Sequence, residues 1–161
     1  MSAGLPEPPP VLADILRQGL RIVFCGTAAG AVSAARGAYY AGPGNHFWPI
    51  LHRTGLTPRQ LRPVEFPLLP QFGIGLTDIA KHVSGADSDL PASAFDPTGL
   101  AARIRAVRPD MLAFNGKKAA SLFLGRPGAQ ISYGPAAGPE DFPAVFVLPS
   151  TSGAARGAWD E

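Results

Sequence analysis

One cysteine, Cys25, is all that this chain of 161 residues contains, and it sits inside an apolar run. That excludes an iron–sulfur site built from four cysteines, and a buried, unpaired thiol fits a reducing cytosol, so the expected location is the cytoplasm. Histidine is equally scarce: His46, His52 and His82 are the whole set. His52 and His82 have no metal-ligand spacing and are expected on the surface. No apolar run approaches the ~20 residues that cross a bilayer, and Met1 to Pro10 lacks the basic and apolar regions of a signal peptide, so no membrane partner is expected. Charge is sparse too, with 16% charged residues and a net charge of +2. A sequence pI near 9.0 permits nucleic-acid binding without establishing it. No internal repeat is visible.

What is present is a chain long enough for one domain that buries roughly two thirds of its unfolded surface. Residues 1–10 read as a disordered, proline-rich lead-in and residues 11–161 as a single domain. Leu20 to Phe47 organises the rest. An apolar strand, Leu20 to Cys25, runs into Gly26-Thr27-Ala28-Ala29-Gly30, the pattern of a strand, a tight turn and a helix start whose amides can hold an anion or a polar ring. Two tyrosines, Tyr39 and Tyr40, and the turn Gly42-Pro43-Gly44-Asn45 follow closely. Aromatic faces stack on bases at ~1–3 kcal/mol each. A core role for one of the two tyrosines is an equal reading. The glycine pair alone matches neither the dinucleotide fingerprint nor the Walker P-loop.

Val11 to Gln18 places Val11, Leu12, Ile15 and Leu16 at helical spacing, which predicts a short helix capped by Gly19. Ala31 to Arg36 allows a brief helix, Asn45 caps one through Leu51, and Pro58 to Leu61 reads as another. Pro63 to Pro70 is too proline-rich for a central strand, and Phe72 to Leu76 is a short apolar approach to Thr77-Asp78. Asp96 or Thr98 caps a helix carrying Leu100, Ile104 and Val107, Met111 to Phe114 and Ala144 to Leu148 are strands, and Ala119 to Leu124 is a helix. Strands alternating with helices predict an α/β fold with a mostly parallel sheet. Four loops then converge at the strands' carboxyl ends: Gly26 to Gly30, Thr77-Asp78, Asn115 to Lys118, and Pro149 to Gly153.

These segments resemble the mismatch-specific uracil-DNA and thymine-DNA glycosylase family, within the uracil-DNA glycosylase superfamily. The match runs through Val23-Phe24-Cys25-Gly26-x-x-x-Gly30, Ala41-x-Pro43-x-Asn45-x-Phe47-Trp48, Gly55-Leu56-Thr57, Gly73-Ile74-Gly75-Leu76-Thr77, Phe114-Asn115-Gly116-Lys117 and Leu148-Pro149-Ser150-x-Ser152-Gly153. The resemblance implies a three-layer α/β/α sandwich. It also implies an enzyme that flips a damaged base out of DNA and hydrolyses its N-glycosidic bond without a metal or cofactor. Gly26 to Gly30, with Thr27 and Ala28 inside it, then matches the first catalytic motif. Tyr40 falls where the family stacks an aromatic on the base, and Tyr39 or Tyr40 would exclude thymine's methyl group. Asn115 and Lys117 take the matching strand end, in a substrate or a structural role. Ser150, Thr151, Ser152 and Gly153 match the motif that grips the DNA backbone.

Two positions depart from the family pattern. The asparagine that would hold the attacking water is Ala28 here, which leaves Asp78 as the nearest carboxylate. Asp78 is open to three readings: orienting water, capping a following helix, or accepting a hydrogen bond from a uracil N3–H. The bulky wedge after Gly153 is replaced by Ala154 and Ala155, so Arg156 either fills the gap or contacts phosphate. Lys117, Lys118 and Arg126 are further candidate phosphate contacts. The expected partner is uracil-containing DNA, double-stranded, met by a monomer on nucleoid DNA. Because of Ala28, a catalytically silent binder of damaged DNA or nucleotides is the alternative.

Overall fold

Apolar residues run almost unbroken along the inner strands and point in turn to opposite faces of the sheet, and this decides the architecture. The computed structural model describes residues 9–152. Five strands form one sheet: β1 (Ile22–Gly26), β2 (Ile74–Asp78), β3 (Met111–Asn115), β4 (Gly134–Ala136) and β5 (Ala144–Leu148), in the order β2-β1-β3-β5-β4. β2, β1, β3 and β5 run parallel, and β4 is antiparallel to β5. Val23, Cys25, Leu112, Phe114, Val145 and Val147 point to one face, where α3 (Pro97–Val107) and α4 (Lys117–Leu124) cover them with Leu100, Ile104, Ala119 and Ala120. Phe24, Ile74, Leu76 and Ala113 point to the other, under α2 (Phe47–Arg53) and a 3-10 helix over Pro63–Phe72, while the short α1 (Ala31–Arg36) follows β1 in the chain. The result is the three-layer α/β/α sandwich, hydrophobic on both sheet faces as parallel sheets require.

The expected helix over Val11 to Gln18 does not form. That segment lies extended along β2, where Ile15 and Leu76 exchange backbone hydrogen bonds of 2.9 and 3.0 Å and the Val11 amide donates to the Lys81 carbonyl at 2.7 Å. An open sheet edge offers unpaired backbone groups, and here it outweighs the weak propensity of eight residues. Gly75 makes the approach possible: a Cβ there would stand 2.5 Å from the Ile15 carbonyl oxygen. All five residues of this edge strand are therefore buried.

Pro58 to Leu61 is also not helical. Pro58 and Arg59 form a bend and Gln60 and Leu61 continue irregularly, with the Thr57 hydroxyl donating to the Arg59 carbonyl at 2.8 Å, and the chain turns helical only at Pro63. Elsewhere the expectations hold within a residue or two. Asn45 accepts from the Phe47 amide at 2.9 Å at the start of α2, and Asp96 accepts from Gly99 at 2.9 Å at the start of α3. β4 was not anticipated, because three residues with a central proline carry no strand signal; Pro135 is tolerated there on the sheet's edge.

Chain order places β2 on one side of β1 and β3 on the other. Such a reversal opens a crevice beyond the strands' carboxyl ends, the usual ligand position in open α/β sheets.

Candidate active site

At that crevice lies a chamber of about 1000 Å³, bordered by all four loops that the sequence brings together. Gly26 forms its floor. A Cβ at Gly26 would meet Asp78 Oδ1 at 2.9 Å and the Tyr40 hydroxyl at 3.4 Å, so the absence of a side chain keeps carboxylate and phenol against the turn. The turn is fixed through its carbonyls: Gly26, Thr27, Ala29 and Gly30 accept from Ile79, Ala80, Gly85 and Ala34. Tyr40 adopts φ 52°, an unusual conformation for a residue with a side chain, and its ring packs on Phe47 with centroids 4.1 Å apart. Its hydroxyl is buried beside the Asn115 amide, yet no described group forms an aligned hydrogen bond with it. Burial, reinforced by the nearby Asp78, holds that phenol protonated.

Asp78 is 4% exposed. No helix follows it, so capping does not account for its presence. Burial raises its pKa from 3.8 to about 6; Lys81 opposes the rise, Asp14 adds to it and Arg103 opposes it. At neutral pH the carboxylate is mostly ionised, as a proton acceptor needs to be. Behind it, Lys81 Nζ lies 3.9 Å from Asp78 Oδ2 and 2.7 Å from Asp14 Oδ1. Arg103 donates to the Asp78 backbone carbonyl at 2.9 Å.

The opposite wall comes from β3 and β5. The Asn115 side chain donates to the Thr151 hydroxyl and accepts from the Thr151 amide, both at 2.9 Å, which locks the two loops together. Gly116 lets Ser150 close in: a Cβ would sit 3.4 Å from Ser150 Cβ, at φ 105°. The Thr151 carbonyl accepts from His46 at 2.8 Å, tying the last loop to the start of α2. Lys117 borders the chamber, its ammonium 4.5 Å from the centroid of the exposed Tyr133 ring, and Lys118 and Ser152 stand beside it.

Other expected positions fall differently. Tyr39 is 2% exposed, donates from its hydroxyl to the Ala13 carbonyl at 2.9 Å and receives Lys81 at 3.2 Å, so most of its ring belongs to the core and only a part borders the chamber. The Thr27 hydroxyl donates to Asp87 at 2.5 Å, which draws the Gly85 to Asp89 segment over the rim. Ala28 borders the chamber with nothing but a methyl group to offer. Arg126 does not reach the mouth: it follows α4, whose eight residues carry the chain roughly 12 Å away from Lys117. His52 and His82 are exposed, and the Cys25 thiol is buried with its pKa pushed up by burial. Gly153 and Arg156, with Ala154 and Ala155, lie outside the described residues.

Sequence reading passed over Asp14, Lys81, Arg103 and Asp87. Asp14 was masked by the helical spacing of its neighbours. Lys81, a cation interrupting the apolar stretch Ile79 to Val83, was the available signal.

The solved structures include one of similar fold, the solution NMR structure of a proposed uracil DNA glycosylase from Methanosarcina acetivorans. It superposes with a TM-score of 0.58 at 20% identity, over 90% of this chain and 85% of that one. The sequence profile of the Uracil DNA glycosylase superfamily matches residues 13–160, a span that contains every residue bordering the chamber except Leu12. The chain therefore belongs to the uracil DNA glycosylase superfamily.

Proposed function

We propose that this protein is a monofunctional DNA glycosylase of the mismatch-specific uracil-DNA and thymine-DNA type, which flips uracil out of duplex DNA and hydrolyses its N-glycosidic bond. The observation that carries the reading is the meeting of a buried carboxylate, Asp78, with the Gly26 turn and Tyr40 in one chamber of a superfamily member. Unstacking the base costs a few kcal/mol, offset by the pocket's contacts with it. Tyr40 faces the extruded base, amides of the Thr27 to Gly30 turn hydrogen-bond its carbonyl oxygens, and Asn115 borders it from the other wall. The C1′–N1 bond breaks with its electron pair leaving on uracil, whose anion the turn stabilises. A water held by Asp78 adds its oxygen to C1′ and gives its proton to the carboxylate. Ser150, Thr151, Ser152 and Gly153, with Lys117 and Arg156, hold the DNA backbone. The enzyme acts as a monomer, in the cytoplasm on nucleoid DNA.

Single-turnover release of uracil from labelled duplexes containing U:G, U:A or T:G tests this, with Asp78→Asn and Tyr40→Ala beside the wild type. The expected outcome is release from U:A as readily as from U:G, because Ala154 and Ala155 offer the opposite base little, and its loss in Asp78→Asn while DNA binding survives. Rapid thymine release from T:G would remove the idea that a tyrosine excludes the C5 methyl. A second reading, a silent binder of damaged DNA, follows from Ala28. It predicts uracil-dependent binding with no free base, and turnover by stoichiometric protein eliminates it.

A further inference from the structure

Asp78 presents its two oxygens to different surroundings. Oδ1 stands over Gly26, at the chamber floor, whereas Oδ2 faces inward toward Lys81 at 3.9 Å. Lys81 is itself almost closed off, with a side chain 9% exposed. Asp14 fixes it at 2.7 Å, and Asp14 is fixed in turn by the Thr77 hydroxyl at 2.6 Å and by Arg103, whose Nε stands 3.0 Å from Oδ2 without the alignment of a hydrogen bond. The Tyr39 hydroxyl accepts from Lys81 at 3.2 Å. Asp14 reaches this position only because its segment runs along β2 over Gly75.

We propose that Lys81 and Asp14 form a relay behind Asp78: Lys81 is a positioning residue that keeps Oδ1 turned to the chamber, and Asp14 limits how much of the Lys81 charge Asp78 receives, which sets the pH at which Asp78 becomes a base. This rests on the glycosylase reading. Seen from Asp78, every charged or titratable neighbour has a place in the scheme. Lys81 follows it in the chain, Asp14 comes from the N-terminal segment, Arg103 from α3, Cys25 from β1, and Tyr39 and Tyr40 from the loop after α1. Burial keeps the thiol and both phenols neutral in the working range, which leaves Lys81, Arg103 and Asp14 as the ionised groups. Arg103 spends its contacts on the Asp78 backbone carbonyl, the Thr77 hydroxyl and Asp14, so the carboxylate itself answers chiefly to Lys81. Lys81 is closer to Asp14 than to Asp78, so the cation is shared unequally between two carboxylates.

The two partners must then act on Asp78 with opposite signs. Asp14→Asn keeps an acceptor for Thr77 but releases the Lys81 charge to Asp78, and Lys81→Met removes the nearest cation. The test follows the Asp78 side-chain carbon by NMR through a pH titration of the free protein, and the acid limb of single-turnover uracil release in the same variants. The wild-type midpoint is expected near pH 6. Asp14→Asn should move both midpoints down and Lys81→Met should move both up, each by about one pH unit, with Lys81→Arg restoring the wild-type position. Support of the fold alone would lower rates at every pH and leave the midpoints where they were, and that result overturns the relay. If Lys81→Met does not fold, the downward movement in Asp14→Asn decides. The NMR titration needs no turnover, so a wild type that releases no uracil defeats the glycosylase reading while the titration still judges the relay.

Discussion

On the β1–β2 side, the chamber borders one buried carboxylate among the described residues, Asp78, whose nearest cation stands 3.9 Å away, beyond hydrogen-bond reach. On the β3–β5 side, Asn115 and Thr151 meet at 2.9 Å in a reciprocal pair with no charge at all. One wall keeps a group short of satisfaction and free to take a proton, and the other spends its polar atoms on holding two loops together. A loosely tethered, desolvated carboxylate suits proton transfer, because a group saturated by hydrogen bonds would have its pKa driven down and its basicity lost. A clamp of neutral groups suits the binding of a ligand that must enter and leave, because it fixes geometry at every pH. Replacing residues on each wall in turn asks whether this division is real.

The largest effect is expected at Asp78. Asp78→Asn keeps shape and volume but removes the acceptor, so single-turnover uracil release should fall by roughly 10²- to 10⁴-fold, the usual worth of a positioned acid or base. Tight binding of uracil-containing duplex should remain. Loss of binding in parallel with rate would instead make Asp78 a recognition group.

The same substitution has an opposite consequence for stability. The folded pKa of Asp78 lies near 6, above its ordinary 3.8, so between these values the folded state binds more protons than the unfolded one. Stability therefore declines as pH rises through that window, and above pH 6 the buried charge is a standing cost. A shift of about two units corresponds to on the order of 3 kcal/mol. Asp78→Asn should thus melt at a higher temperature than the wild type at pH 7.5, with the gap closing toward pH 4. A gap independent of pH would mean that the carboxylate is paired and not merely desolvated. On the other wall, Asn115→Ala removes both bonds to the Thr151 loop, and the expected loss is about 1–3 kcal/mol of stability, constant with pH.

The sheet was legible in the sequence because the near-continuous apolar runs Leu20 to Cys25, Met111 to Phe114 and Ala144 to Leu148 fit strands covered on both faces. The meeting of four loops at one end followed from the alternation of strands and helices, and Asp78 and Tyr40 came into view with it. The N-terminal segment was not legible. Its apolar residues at helical spacing are real, but two of its backbone groups pair with Leu76 across some sixty residues, and no local pattern records an open sheet edge. The network behind Asp78 was hidden for the same reason: Asp14 and Lys81 lie 2.7 Å apart only once that segment is in place. Tyr39 and Tyr40 are adjacent and chemically alike, and only tertiary packing sends one hydroxyl to Ala13 and leaves the other facing Gly26 without a partner.

The smallest effect bears on the comparison most directly. The Thr27 hydroxyl bonds Asp87 at 2.5 Å on the β1–β2 side, a side chain to side chain contact like that of Asn115 with Thr151 but exposed at the rim. An exposed bond is exchanged for water at little net cost, whereas Thr151 is 4% exposed and water cannot readily replace its partner. Thr27→Val should therefore lower stability by about 0.5 kcal/mol or less, against the larger loss at Asn115, when both are measured by urea unfolding. Equal losses in the two variants would mean that the rim is as firmly held as the clamp, and that rigidity is spread around the chamber instead of gathered on its β3–β5 wall.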